Sequence, residues 1–484
     1  MALNINTNIG ALSASVAASA VNKTMETAME RLSSGLRINT ASDDAAGMAI
    51  SSRMEAQIRG LNQAIRNAAD GQSLIDTTEG AHNEVTNILQ RMRELAVQSA
   101  NDTNVAGDRA NIQAEVTQLI AEIDRIANQT TWNGVAVLDG TFNTKKLQIG
   151  AEANQSLSFG VESTKSSALG AYKFNSTATL TAGATNTVQA AANTISGYAG
   201  TATWNSGAGD SAQTTAAAVN SRTASTGVSA TAFTQVKLSG LSHDSTVGLT
   251  INGTAISSVN VTTGNLINLK TAINEISGST GVTASMEGDS TIILTALDGR
   301  DIKFTSATLS GNTNAATLDT QVLLANGTYT TAAAGTQVKA AVASVVATGY
   351  VALDSTKSFQ VVGAANAGIN PGATSSGSLS SVASVNVSTV SGAASAISII
   401  STAINKINQS RGDLGAISNR LDNTISNLTN ISTNVSSSQS RIQDADFAAE
   451  STNLAKSQIL QQAATAMLAQ ANAAKQGVLQ LLQG

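Results

Sequence analysis

Apolar residues recur at alternating spacings of four and three at both extreme ends of the chain, and that pattern restricts what it can fold into. At the N-terminal end the rhythm runs through Ile5, Ile9, Leu12 and Val16, then returns shifted at Met25, Met29, Leu32 and Leu36. At the C-terminal end Leu460, Ala464, Met467, Ala471, Ala474, Val478 and Leu481 keep the same spacing, and the alanines let a partner helix approach closely. One such stripe alone reads equally as an amphipathic helix buried in its own domain. Stripes at both termini, which usually fray, imply surfaces kept for a partner, and the natural partner of the last stripe is the first. Polar Ser19 and Lys23 on one helix and small residues on the other weaken folding in isolation, so the ends are expected to order on assembly.

Further helical stripes lie inside these two. After the Gly- and Asp-containing break Ser33 to Asp44, a helix is expected from about Ala45 to Ala100, with stripes at Ile58, Leu61, Ile65, Ala68 and at Val85, Ile88, Met92, Leu95. At 1.5 Å per residue it is about 80 Å long, too long for a small globular domain to enclose. A third helix carries Ile112, Val116, Leu119, Ile123 and Ile126, and another carries Leu414, Ile417, Leu421, Leu428, Ile431 and Val435. Between them, Asn133-Gly134 and Asp139-Gly140 beside alternating apolar residues predict β-hairpins.

The middle of the chain is a different material. Residues 166–395 hold 17 of the 59 charged side chains, and are rich in Thr, Ser, Gly and Asn in short alternating runs, which predicts β-structure. The fold class that follows is a multidomain α+β chain: a long helical coiled-coil and bundle core from both termini, with β-rich outer domains inserted in the middle. With 484 residues and 42% hydrophobic residues the chain can fill two to four cores.

Composition excludes several functions. A net charge of −5 without a Lys/Arg cluster argues against nucleic acid. There is no Cys for disulfides, thiolate catalysis or thiolate metal sites. The N-terminus lacks the basic region of a secretory signal, and no run of about 18 uninterrupted apolar residues predicts a membrane-spanning helix. Only His82 and His243 are present, and zinc-protease, P-loop and hydrolase motifs are absent, so no enzyme is expected and no cofactor or metal is assigned. His82 reads as a solvated helix residue, and Asp43-Asp44 and the pair Asp289 and Asp298 read as caps and turns.

Several long runs carry a resemblance: Leu32-Ser-Ser-Gly-Leu-Arg-Ile-Asn39, Asp43-Asp-Ala-Ala-Gly-Met-Ala49, Gln90-Arg-Met-Arg-Glu-Leu-Ala-Val-Gln98, Ser440-Arg-Ile-Gln-Asp-Ala-Asp446 and Gln458-Ile-Leu-Gln-Gln-Ala463. In this order they resemble the bacterial flagellins, over Ala2 to about Gly150 and about Ser391 to Leu482. The resemblance implies a subunit that polymerises into the flagellar filament, an extracellular homopolymer for swimming. It also implies export unfolded through the flagellar type III apparatus, a cytoplasmic export chaperone on the C-terminal helix, and contacts to hook-associated and cap proteins.

On this reading residues 1–44 are the inner-core helix and its spoke loop, and 45–165 the N-terminal part of the bundle with its hairpin. Residues 166–395 are the variable outer region, 396–438 the C-terminal part of the bundle, and 439–484 the C-terminal inner-core helix. Residues 248–304, read as strand, helix, strand, strand, resemble the flagellin hook IN motif. Flagellins often carry Pro in the last dozen residues; this chain has none there, and its one proline is Pro371. Gln90, Arg91 and Leu95, with Glu115 on the next helix, match the site that in many flagellins is bound by the vertebrate flagellin-sensing Toll-like receptor. Their bland reading is Leu95 packed in the filament and Arg91 in an ordinary salt bridge. The alternatives to a filament subunit are a hook–filament junction protein and a surface adhesin with flagellin-like ends.

Overall fold

The computed structural model describes residues 7–101, 103–310, 317–330, 337–339, 344–363, 369 and 374–482, without the side chains of 306, 310 and 474–482. About 49% is helical and 25% strand, with the long helices at the ends and the strands in the middle, as the charge pattern predicts. The helices are α1 (Ile9–Ser34), α2 (Ala45–Ser99), α3 (Ala106–Gln129), α4 (Ala212–Asn220), α5 (Thr223–Thr226), α6 (Ile267–Glu275), α7 (Ser277–Thr280), α8 (Val390–Gln443) and α9 (Phe447–Leu482). Two compact units divide the chain, one of Met1–Asp76, Thr144–Gly160 and Gly415–Gly484, the other of Thr77–Asn143 and Val161–Leu414.

In the first unit α1 packs on α9, and the N-terminal part of α2 packs on the C-terminal part of α8 through Leu61, Ala64 and Leu428. A hairpin of Lys145–Gln148 and Ser156–Phe159 lies against α2. Glycine inside this helix is explained by that approach: a Cβ on Gly71 would sit 2.5 Å from Leu147 Cδ1.

In the second unit α2, α3 and α8 share one core. Val85, Leu89, Met92 and Leu95 meet Ile112, Val116 and Ile123 and the α8 face Ala393, Ala396, Ile400, Ala403 and Ile407. One window of α8 reaches mean hydropathy 1.2, long and apolar enough by composition to cross a bilayer, so the expectation that no segment is of that kind needs correction. Its apolar stripe is the one buried against α2 and α3, as in the core helix of a bundle.

Among the described residues every strand pair is antiparallel. One sheet runs Thr283–Met286, Ile292–Ala296, Val228–Ser239, Tyr350–Ser355, Gly170–Asn175 and Ser378–Ser381 in spatial order. A second runs Thr254–Ala255, Ser245–Ile251, Ile302–Ser310, Ser344–Thr348 and Thr179–Ala182, and a third joins Gln360–Gly363 to the hairpin Ala191–Gly197 and Gly200–Ser206. The run 248–304 contains strand, helix, strand and strand in that order.

Two local expectations are corrected. Asn133-Gly134 does turn a hairpin, with φ of 47° and 77° between Thr131–Trp132 and Val135–Ala136. Asp139-Gly140 instead makes a strandless turn, in which Asp139 Oδ1 accepts from Thr141 N at 2.9 Å and Thr141 Oγ1 at 2.7 Å. His82 is not solvated but 0% exposed, and neither ring nitrogen has a hydrogen-bond partner among the described residues. It falls on the four-three stripe Thr78, His82, Val85, Leu89, Met92, whose members are all buried, so its position on the helix overrides its polarity.

Candidate assembly surface

Alpha-helix α1 starts at Asn8, whose Oδ1 accepts from Ala11 N at 3.1 Å and whose Nδ2 donates to Ala471 O of α9 at 3.3 Å. At its other end Gly35, in the left-handed region at φ 71°, stops the helix. The two connections then pair: Arg37 N donates to Gln443 O at 2.6 Å and Ala445 N to Gly35 O at 2.9 Å. Asp43 accepts from Thr40 N at 2.8 Å and Asn39 N at 3.1 Å, which holds its carboxyl below the usual range, and Asp44 caps α2 through Gly47 N at 2.9 Å. Asp43-Asp44 are turn and cap residues. Asp298 pairs with Arg300 at 2.6 Å rather than with Asp289.

The ends, expected to order on assembly, are helical and paired with each other in the single chain, along a register different from the expected one. The α1 face against α9 consists of Ala11, Ala14, Ala18, Val21, Met25, Ala28 and Leu32, all buried or half-buried and spaced three and four. Facing it on α9 are Leu454, Ser457, Gln461, Ala464, Leu468 and Ala471. Met25, Leu32, Ala464 and Ala471 therefore sit where expected, and Leu36 bridges to Asp444. Ile9, Leu12, Val16 and Met29 do not: they point outward at 65, 62, 65 and 53% exposure. Leu460 and Met467 also point outward, at 44 and 64%, with Ile459 and Phe447 at 67 and 69%. Ile5 and the side chains of Ala474, Val478 and Leu481 lie outside the described residues.

On α1 an inward stripe alternates with the outward Ile9, Leu12 and Val16, and the pair with α9 closes over the first. Small residues let the axes approach, so on α1 Ala11, Ala14, Ala18 and Ala28 share the intramolecular contact with Val21, Met25 and Leu32, and Ile9, Leu12 and Val16 are left facing out. On α1 the inward residues Ala11, Ala14, Ala18 and Ala28 are less apolar than Ile9, Leu12 and Val16 beside them at the same spacing, so the sequence pattern does not single them out. Close packing here leaves no room: Ala28→Leu should cost about 1–3 kcal/mol by overpacking, with Ala28 only 2% exposed. Melting of the terminal helices, followed by circular dichroism at the helix band, measures this.

The second candidate surface is on α2 and α3. Arg91 donates from Nε and Nη2 to Glu115 Oε1 at 3.0 and 2.9 Å and from Nη1 to Glu94 at 3.2 Å, so Arg91 and Glu115 do meet across the two helices. Gln90, Arg91 and Glu115 are exposed. Leu95 is not on that face; it is 2% exposed in the three-helix core.

Eight large apolar side chains stand in water on these two paired helices, which monomers rarely leave uncovered. Residues 5–143 match the family model described as the bacterial flagellin N-terminal helical region, and 397–482 match the bacterial flagellin C-terminal helical region. The chain is 39% identical to the B-type flagellin of Pseudomonas aeruginosa over 495 residues, with all of both chains covered. The chain belongs to the bacterial flagellins. It is 35% identical to the flagellin of Salmonella typhimurium, again over the whole of both chains. Among solved structures it is similar to FliC from Burkholderia pseudomallei at TM-score 0.29 and 19% identity, covering 72% of this chain and 99% of that one. As a flagellin it is a structural subunit of the extracellular flagellar filament, which self-assembles and serves motility, and its full-length flagellin relatives favour this over the junction protein. The flagellins are a family of structural proteins.

Proposed function

We propose that the outward side chains Ile9, Leu12, Val16, Met29, Leu460 and Met467 form the seam between subunits of the filament, to which the sequence also assigns Ile5, Ala474, Val478 and Leu481 outside the described residues. The observation that carries this is the exposure of Leu12, Val16 and Met467 at 62, 65 and 64% on helices that have already found each other. Met25, Leu32, Leu36, Ala464 and Ala471 hold the pair together, and the polymer covers what the pair leaves bare. Contacts of this kind are heterologous and do not close, so they grow a fibre.

The native chain has no cysteine, which makes the test direct. Leu12→Cys and Met467→Cys variants should react readily with a polar maleimide as monomers and several-fold more slowly after seeded polymerisation. Equal rates in both states would reject the seam.

On the same reading the outward α9 stripe is what an export chaperone holds before the chain passes unfolded through the type III apparatus, and the filament's ends meet hook-associated and cap proteins. Zero Cys and a single Pro, Pro371, suit a chain that must thread and refold. Gln90, Arg91 and Glu115 form the patch for a flagellin-sensing Toll-like receptor on released monomers. Arg91→Ala should weaken receptor signalling in a reporter-cell assay and leave thermal stability nearly unchanged, because exposed ion pairs contribute little. Unchanged signalling would remove the receptor from the partners.

A further inference from the structure

The outer region contains one local construction twice. Asn220, the last residue of α4, donates to Ala230 O at 2.8 Å and accepts from Ala230 N at 2.8 Å. Asn274 on α6 does the same to Ala284, at 2.9 and 2.7 Å. One amide side chain thus supplies both the donor and the acceptor that tie a helix end to a strand. Thr226 and Thr280 each donate to the carbonyl four residues back, Arg222 at 3.0 Å and Ile276 at 3.1 Å. Each also accepts from the N–H two residues on, Val228 at 3.2 Å and Val282 at 3.3 Å. Gly227 and Gly281 follow them in the left-handed region, at φ 72° and 69°. The sequences under these contacts are Ala218-Val-Asn-Ser-Arg-Thr-Ala-Ser-Thr-Gly-Val-Ser-Ala230 and Ala272-Ile-Asn-Glu-Ile-Ser-Gly-Ser-Thr-Gly-Val-Thr-Ala284, in register without a gap.

The surrounding strands repeat in the same order. Ala191–Gly197 turns into Gly200–Ser206, α4 and α5 follow, then Val228–Ser239, Tyr350–Ser355, and last Gln360–Gly363, which returns to pair with Ala191–Gly197. Ser245–Ile251 turns into Thr254–Ala255 and Val259–Val261, which both pair back on it and together take the place of Gly200–Ser206; α6 and α7 follow, then Thr283–Met286, Ile292–Ala296, and last Ile302–Ser310, which returns to pair with Ser245–Ile251. Each copy has its own core, and equivalent positions are buried in both: Ile195 and Leu249, Ala212 and Leu266, Val219 and Ile273, Val228 and Val282. A helix-ending Asn or a Thr-Gly stop is common alone; all of them at one offset, within one strand order, is not.

We infer that the outer region holds two copies of one module, the second inserted into the first, and that the insertion point is the connection between the third and fourth of the five strands. In the first copy this connection leaves from Phe233 and returns at Tyr350, which are directly paired, and the whole second copy lies between them. In the second copy the same connection is the exposed turn after Met286, also directly paired with its return at Ile292, and Glu287 N donates to Thr291 O at 3.0 Å. The turn Glu287–Thr291 is therefore the site at which this fold accepts a further domain, because two paired strand ends hold the insertion's termini a strand spacing apart whatever lies between.

Two measurements on the full chain test this. In hydrogen exchange, Asn220→Ala should deprotect Ala230 and its neighbours in the first copy, and Asn274→Ala should deprotect Ala284 and its neighbours in the second, each leaving the other copy protected. In the other, a compact foreign domain with adjacent termini is placed between Gly288 and Asp289. The urea midpoint of the parent chain and its seeded filament growth should be retained, whereas the same domain between Asn252 and Gly253 should lower the midpoint, since Asn252 holds Thr280 O and Lys303 N. Exchange that spreads equally through both copies, or an insertion at Gly288 as damaging as one at Asn252, overturns the proposal.

Discussion

The double variant Leu12→Glu, Met467→Glu should stay monomeric under conditions where the parent chain grows from seeds. Both side chains stand in water in the single chain, 62 and 64% exposed, so replacing them leaves the α1/α9 pair and its alanine stripe intact. On assembly each native side chain would leave water, which contributes about 1–2 kcal/mol for the part still exposed. A glutamate in the same place adds the desolvation of a charge with no partner. Because each 1.4 kcal/mol is a factor of ten, the critical concentration should rise about 100-fold or more. Sedimentation after seeding reads that rise directly, and circular dichroism of the monomer checks that helix content is unchanged. Filaments of ordinary length at the parent's concentration would sink the seam. The comparison variant Ala464→Glu should behave differently: it lies in the intramolecular face, so it should lose helix content before any question of assembly arises.

This contrast also explains how far the sequence could be read. The helices α1, α2, α3, α8 and α9, the hairpin at Asn133-Gly134 and the β-rich middle follow from period and turn chemistry, which are local. The choice between two stripes on the same helix is not local. Ile9, Leu12 and Val16 form as regular a rhythm as Ala11, Ala14 and Ala18, and only the approach of α9 decides which closes inward. Leu95 shows the same limit from the other side: at i+4 it is a neighbour of Arg91 on the helix surface, but α3 and α8 cover Leu95 and leave Arg91 exposed, which spacing within one helix does not decide. The repeat in the outer region was legible in principle, since Ser-Thr-Gly-Val occurs at both Ser225 and Ser279, but the inserted copy separates the strands of the first and hides its boundaries.

Lowering the pH from about 7 to 4 should destabilise the second unit by about 3 kcal/mol through His82 alone. Burial pushes the imidazole down from 6.5 to about 4; Glu79 nearby works against that shift and Arg411 adds to it. The folded chain therefore leaves His82 neutral in a range where the unfolded chain protonates it. Stability rises with pH wherever the unfolded state binds more protons, so the contribution is complete above about 6.5, declines as pH falls, and is exhausted near 4. The fall from 6.5 to about 4, at about 1.4 kcal/mol for each factor of ten in proton affinity, gives the stated size. His82→Leu should remove this slope and stabilise the unit at every pH, because the wild-type ring buries two nitrogens that find no hydrogen-bond partner among the described residues. Urea unfolding of monomers at pH 7.5 and 4.5, compared between parent and variant, isolates the term from the carboxylates that titrate in the same window. If the difference between the two pH values is the same in both proteins, His82 is protonated or hydrated in the folded chain and its burial costs nothing.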